Sequence, residues 1–185
     1  MEPITEQELR AFVGRKADYY LGKWWPALKS QGSGYDQVAV AGLMLAQPKT
    51  GFNWAAFLLS GLWLPYRKMY KATFIFMGII LLESILEEVL FVGILGKPEP
   101  PAALGRLVGL VAAVICGAYG NRWYLSHAQK MIFQARSEEF QGDEYVKVLA
   151  QRGGTSLGAS LGMFVLFIVA IVAVLLVLEV LFARG

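Results

Sequence analysis

The chain has 185 residues, of which 56% are hydrophobic and only 17% charged, against about 25% charged in an average soluble chain. With a mean hydropathy of +0.50 and long apolar runs toward both the middle and the end, this excludes a disordered chain, argues against a water-soluble domain, and leaves a small integral membrane protein. Net charge is +3, from 17 Lys and Arg against 14 Asp and Glu. No basic tract reaches the density of a nucleic-acid patch, so no nucleic-acid partner is expected.

Cys116 is the only cysteine and His127 the only histidine. An intrachain disulfide, a Cys-based zinc site and a multi-histidine metal site are therefore impossible, and no metal or cofactor is expected. The first thirty residues carry no apolar h-region, so no cleaved signal peptide is expected and a later segment must direct insertion.

Residues 5–29 read as an amphipathic helix. Thr5 with Glu8 fits a capping box, and Leu9, Val13, Tyr20 and Trp24 recur near one stripe. Pro26 and Gly32-Ser33-Gly34 are expected to end it. Two readings stay open: a solvated helix with one packed face, or a helix on the membrane surface, where Tyr19, Tyr20, Trp24 and Trp25 beside Lys16 and Lys23 belong. The run VAVAGLMLA at 38–46 is too short to span, and a loop from Gln47 to Gly51 follows.

From Gly51 to Lys71 the chain reads GFNWAAFLLSGLWLPYRKMYK. Its apolar part, 52–66, would be about 22 Å long as a helix, short of a hydrocarbon core of about 30 Å. Asn53, Gly61 and Pro65 interrupt it, and Arg67 and Lys68 close it. It reads as an interfacial or re-entrant helix, with Trp54, Trp63 and Tyr66 at the headgroup boundary.

Three spans are expected, at about 72–95, 104–125 and 161–182, each about 33–36 Å long by helical rise. Glu179 is the only charge in the third. Arg106 and Arg122 bound the second and can snorkel to opposite interfaces. Gly96 to Pro101 make a short stiff loop between the first two. The polar stretch before the third span suits two amphipathic helices, the second capped by Asp143 and ended by Gly153-Gly154.

Orientation follows from the distribution of Lys and Arg. Nine precede the first span, two (Lys97, Arg106) lie between the first and second, five (Arg122, Lys130, Arg136, Lys147, Arg152) between the second and third, and Arg184 follows the third. This places the N-terminus inside and the C-terminus outside. The fold class is thus an all-α integral membrane protein. Its segments are an amphipathic helix and linker (1–37), an interfacial or re-entrant segment (38–71), a two-span hairpin (72–125), a cytoplasmic amphipathic region (126–154) and a third transmembrane helix (155–185).

The stretches FVGRKADYYLGKW, GFNWAAFLLSGLWLPYRKMY and GNRWYLSH resemble the bacterial membrane family called domain of unknown function 2628. The middle stretch, with its N-W-x-A-F core and terminal Y-R-K-M-Y, is the most specific. The resemblance covers roughly 12–127, and the third span lies outside it. It implies a bacterial cytoplasmic-membrane protein and no particular activity.

Four features carry candidate chemistry. Glu83 and Glu87 share a face of the first span, with Glu88 about 100° around. A charge at bilayer centre costs about 3 kcal/mol, so these acids either line a proton or cation path or sit at the outer interface, with the span shifted toward 66–86. Gly105, Gly109, Ala113 and Gly117 recur every four residues, as do Gly154, Gly158 and Gly162, a pattern that permits close approach of the second and third spans. His127 follows Trp123 and Tyr124, with no carboxylate close by in sequence and no nucleophile motif, and reads as a structural interface histidine. No catalytic set is identified.

The fourth feature is a cluster. The topology brings the end of 53–71 and the stretch 121–127 to the same cytoplasmic interface. There Asn53, Trp54, Trp63, Tyr66, Arg67, Lys68, Asn121, Arg122, Trp123, Tyr124 and His127 form either an interaction surface or an ordinary aromatic belt with snorkelling cations. Asn53 and Asn121 would satisfy backbone groups where the re-entrant helix breaks. The partners expected are membrane lipids, including anionic headgroups, and a membrane protein. The leading functional expectation is a non-enzymatic scaffold or accessory subunit of a membrane complex. The alternative is a small transport or ion-conducting component using Glu83 and Glu87, and an enzyme acting on lipid ranks last.

Overall fold

In the computed structural model, residues 3–30, 50–138 and 140–183 are described, and all regular structure among them is helical. The expectations for Gly32 to Gly34, for the apolar run 38–46 and for residues 47–49 lie outside the described residues. The chain divides into two compact units, residues 1–54 with 117–155 and residues 55–116 with 156–185.

In the first unit, α1 (Glu6–Val13) opens with a complete capping box: the Thr5 hydroxyl accepts from the Glu8 amide and the Glu8 carboxylate accepts from the Thr5 amide. Gly14, at φ 71°, ends it. A 3-10 turn at Gly14–Lys16 leads to α2 (Ala17–Ser30). The expected single helix is therefore two, and the second continues past Pro26. The stripe Leu9, Val13, Tyr20 and Trp24 is buried, so it packs against protein instead of lying on a membrane.

The partner of that stripe is the second half of α6 (Ala102–Ser137). Asn121, Tyr124, Leu125, Ala128, Ile132 and Ala135 recur at helical spacing and are all buried. Phe12, Tyr20 and Trp24 surround Tyr124, with ring centroids 6.1, 5.0 and 5.4 Å away. Buried aromatic pairs at such distances contribute beyond their area. α6 does not break near 125, where hydropathy predicts the span to end, because a helix leaving an apolar layer needs no turn.

α7 (Gly142–Arg152) closes this unit against α1, burying Leu149. Its N-cap is Gln141, with no side-chain cap, and not Asp143. Asp143 stands in the first turn, where its charge complements the helix dipole. Gly153 ends α7 as expected. A Cβ at Gly153 would fall on the Phe12 carbonyl oxygen, and the Gly154 amide donates to that same oxygen at 2.7 Å. The glycine pair thus lets the chain satisfy the last turn of α1.

In the second unit, α3 (Trp54–Leu59), a 3-10 turn at Ser60–Leu62 and α4 (Trp63–Tyr66) form one broken helical stretch. The break is at Ser60, φ 45°. At Gly61 a Cβ would come within 2.7 Å of the Phe76 ring. α4 ends in a Schellman motif: Met69 N donates to Leu64 O and Lys68 N to Pro65 O, both at 3.0 Å. Lys68 holds the left-handed position at φ 58°, where glycine is usual.

α5 (Tyr70–Glu88) continues as a π-helical stretch, Val89–Ile94. α8 (Leu157–Ala183) runs parallel to it. At one end Ser156 N donates to Tyr66 O at 2.9 Å and Ser160 Oγ to Leu62 O at 2.9 Å. At the other end the Phe182 ring lies against Gly93, 2.8 Å from where a Cβ would stand. Ser156 also caps α8, accepting from Ala159 N at 3.1 Å.

Much of the second unit faces outward with large apolar side chains, among them Ile79 and Leu86 on α5, Ile94 on its π-helical extension, Leu107 and Leu110 on α6, and Leu161 and Val165 on α8. Two helical stretches, Ala102–Ser137 and Gly142–Phe182, are long and apolar enough to cross a membrane. Their apolar windows are 11% and 0% buried, so neither window is packed inside the described chain. The first expected span fails the same criterion because Glu83, Glu87 and Glu88 fall within it. The 13-residue apolar stretch Trp54–Tyr66 is too short to cross.

Candidate functional site

The two recognisable motifs meet in the first unit. The chain turns at Gly51, φ 71°. Asn53 N then donates to Gly117 O at 2.8 Å, and Asn53 Nδ2 donates to Asn121 Oδ1 at 2.9 Å. Asn121 Nδ2 donates in turn to Thr50 O at 3.1 Å and Gly51 O at 3.0 Å. Both asparagines and Thr50 are buried. An α-helix leaves its first four amides and last four carbonyls without internal partners. Asn121 supplies a donor for the two loop carbonyls, and the Gly117 carbonyl supplies an acceptor for the amide just before α3 begins.

Gly117 is part of the same fit. A Cβ there would overlap the Phe52 ring, so α6 and residues 50–53 approach closely only because 117 is glycine. The other members of the small-residue rows do not pack this way. A Cβ at Gly105, Gly109, Gly158 or Gly162 meets no heavy atom within 4 Å. Ala113 is half-buried, and at Gly154 the added atom reaches only ordinary contact with Ala150 O, at 3.8 Å. The expected contact of glycine faces between the second and third spans is therefore overturned. The four-residue spacing there leaves an open surface.

The predicted interaction cluster is divided between the two units. Asn53, Trp54, Asn121, Arg122, Trp123, Tyr124 and His127 belong to the first, and Trp63, Tyr66, Arg67 and Lys68 to the second. Several members are core residues and not a belt: Trp63, Tyr124, Asn53 and Asn121 are buried, and Arg67 is only 4% exposed. Trp54 is 66% exposed, while Tyr66, Lys68, Arg122, Trp123 and His127 are half-buried. Tyr119 and Trp123 stack at 6.0 Å with rings 20° apart, and the Arg122 guanidinium lies 5.6 Å from the Tyr119 ring centre.

His127 lies edge-on to Phe12 at 5.9 Å. Its Nε2 is buried and has no hydrogen-bond partner among the described residues. Burial, and secondarily the charge of Lys130, push its pKa down to about 4, so it is neutral near pH 7.

The acids of α5 are half-buried, and Glu83 and Glu87, one turn apart on the same face, have carboxyl groups close enough to interact electrostatically. Ile85, between them, lines a wholly apolar groove with Ala173, Val174, Val177 and Leu178 of α8. Glu87 and Glu88 therefore stand near the level of Glu179, toward the end of α8, with Glu83 about a turn deeper.

A network that sequence reasoning missed joins three elements of the first unit at Glu8. Arg136 donates to it bidentately, at 2.7 and 2.6 Å, and the Tyr145 hydroxyl donates at 2.6 Å. Thr5 adds its amide and hydroxyl at 2.7 and 2.9 Å. Burial by itself raises the Glu8 pKa, but the bonds from Arg136, Tyr145 and Thr5 outweigh it and hold the carboxyl at about 2. Burial and the Glu8 charge push the Tyr145 phenol up to about 12. The capping box exposes only the local half of this. Its partners are 128 and 137 residues away, with no local signal to mark them. Arg152 with Glu138, and Arg10 with Glu6 and Asp18, form further ion pairs in the unit. Among the described residues no group of three His, Cys, Asp or Glu side chains is placed to hold a metal.

These features define a helical protein with two helices long and apolar enough to span a membrane, with a buried asparagine pair and a half-buried Glu–Arg–Tyr network. The chain belongs to the family described as Protein of unknown function (DUF2628), whose family model matches residues 11–130. That stretch contains both asparagines and ends before Arg136 and α7. No curated protein and no solved structure matches the chain.

Proposed function

We propose that the chain is a multi-pass protein of the bacterial cytoplasmic membrane, with its N-terminus cytoplasmic, serving as a non-enzymatic scaffold or accessory subunit of a membrane complex. Its spans are α5 with its π-helical extension, the first half of α6, and α8. Residues 54–66 form an interfacial or re-entrant segment. The observation that carries this reading is the parallel pairing of α5 and α8, joined at Tyr66–Ser156 and at Gly93–Phe182. Two parallel helices of about 37–40 Å, both outwardly apolar, require a return between them, and the apolar half of α6 supplies it. Of the 17 Lys and Arg, those before α5 and between α6 and α8 then fall on one side, as the positive-inside rule asks.

Single-cysteine labelling in a Cys116→Ala background tests the topology. Gln141 should react only from the cytoplasmic side, Pro100 only from outside, and Thr50 and Lys71 from the same side. Reaction of Thr50 and Lys71 from opposite faces would replace three spans with four. Cross-linking in native membranes, followed by purification, tests the scaffold role, which expects a stoichiometric membrane-protein partner.

A second reading, a small ion- or proton-conducting component, is favoured by the facing carboxyls of Glu83 and Glu87 in an otherwise apolar stretch. Their level near Glu179 and the apolar groove at Ile85 favour the scaffold instead. Cation or proton flux in proteoliposomes, abolished by Glu83→Gln with Glu87→Gln, would reverse that preference.

A further inference from the structure

We propose that the asparagine junction carries a binding site for anionic phospholipid headgroups, built from Lys23 and Arg122 with Tyr19, Tyr119 and Trp123. The inference rests on the membrane reading above and specifies what one surface of the first unit engages. At the junction the chain enters the apolar stretch that begins at Trp54. Beside it, α6 passes from outward-facing apolar residues, the last of them Ile115, to the buried polar Asn121. The Asn53–Asn121 bonds hold these two transitions at one level, which is where headgroups lie along any helix that leaves the hydrocarbon.

A cation stands beside each transition. Lys23 Nζ is 3.4 Å from Phe52 O and 2.7 Å from the Tyr19 hydroxyl. Arg122 follows Asn121 directly and rests on Tyr119, which stacks on Trp123. Tyr19 and Tyr119 are 46% and 44% exposed. Neither cation has a carboxylate within 4.0 Å among the described residues, whereas Arg10, Arg136 and Arg152 are all paired with acids. Cationic groups held beside amphipathic rings at headgroup depth suit a lipid phosphate: the rings occupy the boundary layer, and each cation near an anionic surface contributes about a five-fold factor in binding.

The test uses the full chain reconstituted in vesicles of equimolar phosphatidylglycerol and phosphatidylcholine. Energy transfer from tryptophan to dansyl-labelled phosphatidylglycerol or phosphatidylcholine measures which lipid is enriched at the protein. The native chain should enrich phosphatidylglycerol several-fold, and the preference should weaken as salt rises. Lys23→Gln with Arg122→Gln should abolish it, the exchange Lys23→Arg with Arg122→Lys should keep it, and Lys130→Gln with Lys147→Gln should leave it intact. The proposal is overturned by a native chain without preference, by a preference insensitive to salt, or by equal loss in the Lys130/Lys147 control. Displacement by inorganic phosphate at matched ionic strength would overturn the lipid as occupant. Release of the protein by alkaline carbonate would defeat the membrane reading itself, whereas a chain that stays inserted but shows no preference defeats this inference alone.

Discussion

At the scale of single residues, the strongest constraints are backbone positions that admit no side chain and buried polar atoms that must be paired. Gly153→Ala sets a methyl on the Phe12 carbonyl. It should lower stability by about 1–3 kcal/mol, read as a fall in Tm in detergent, while Gly22→Ala provides a comparison position with open space and helical backbone. Asn121→Leu leaves Thr50 O and Gly51 O without their donor and should cost about 1–3 kcal/mol. The pH response has a definite sign. His127 and Glu8 both have folded pKa values below their ordinary ones, about 4 and about 2. Each therefore contributes stability at neutral pH that is lost as pH falls, His127 between about 6.5 and 4 and Glu8 between about 4.5 and 2. Chemical denaturation at pH 7 and pH 5 should show the decline, and His127→Gln should flatten it in that window. An unchanged slope in His127→Gln would mean that another group titrates there.

At the scale of elements, equal spacing does not mean equal packing. Gly105, Gly109 and Gly117 share one row of α6, yet only Gly117 has a neighbour, Phe52, where a Cβ would go. Gly117→Leu should destabilise the fold by about 1–3 kcal/mol, whereas Gly109→Leu should shift stability by less than about 0.5 kcal/mol, as exposed substitutions do. A Tm series on both variants separates them, and a large loss in Gly109→Leu would restore the helix-packing role for the row. The broken stretch 54–66 is held by its ends: a Schellman motif with Lys68 in the left-handed position and the bonds from Ser156 and Ser160 to Tyr66 O and Leu62 O. Lys68→Gly should raise stability by about 1 kcal/mol, because glycine adopts that conformation without the Cβ clash.

At the scale of the molecule, the two units have opposite surfaces. The second turns large apolar side chains outward, and the first buries its aromatic stripe and carries ion pairs. Glu8 ties α1 to α6 and α7 within the first unit, so Glu8→Gln should loosen all three together. Hydrogen exchange should quicken across residues 6–13 and 142–152 in that variant while α8 keeps its protection. If only α1 were affected, the network would be local and not a tie between elements.

What the sequence determined on its own was whatever depends on neighbours along the chain. Hydropathy over twenty residues marked α6 and α8, the Thr5–Glu8 spacing marked the start of α1, Gly153 marked the end of α7, and the interruption of 52–66 marked a segment too short to cross. The meeting of the stretches that hold Asn53 and Asn121 was also legible, because the topology expected from the charge pattern placed them at one interface. Only the tertiary structure decided which faces are occupied. Trp63, Arg67 and Tyr124 look like boundary residues by type but are buried, and the regular glycine rows face open space except at Gly117. Glu8, Arg136 and Tyr145 carry no mutual signal, since burial and pairing are set by residues more than a hundred positions away. Periodicity along a helix says that a face exists; what packs against it is fixed only when the other helices arrive.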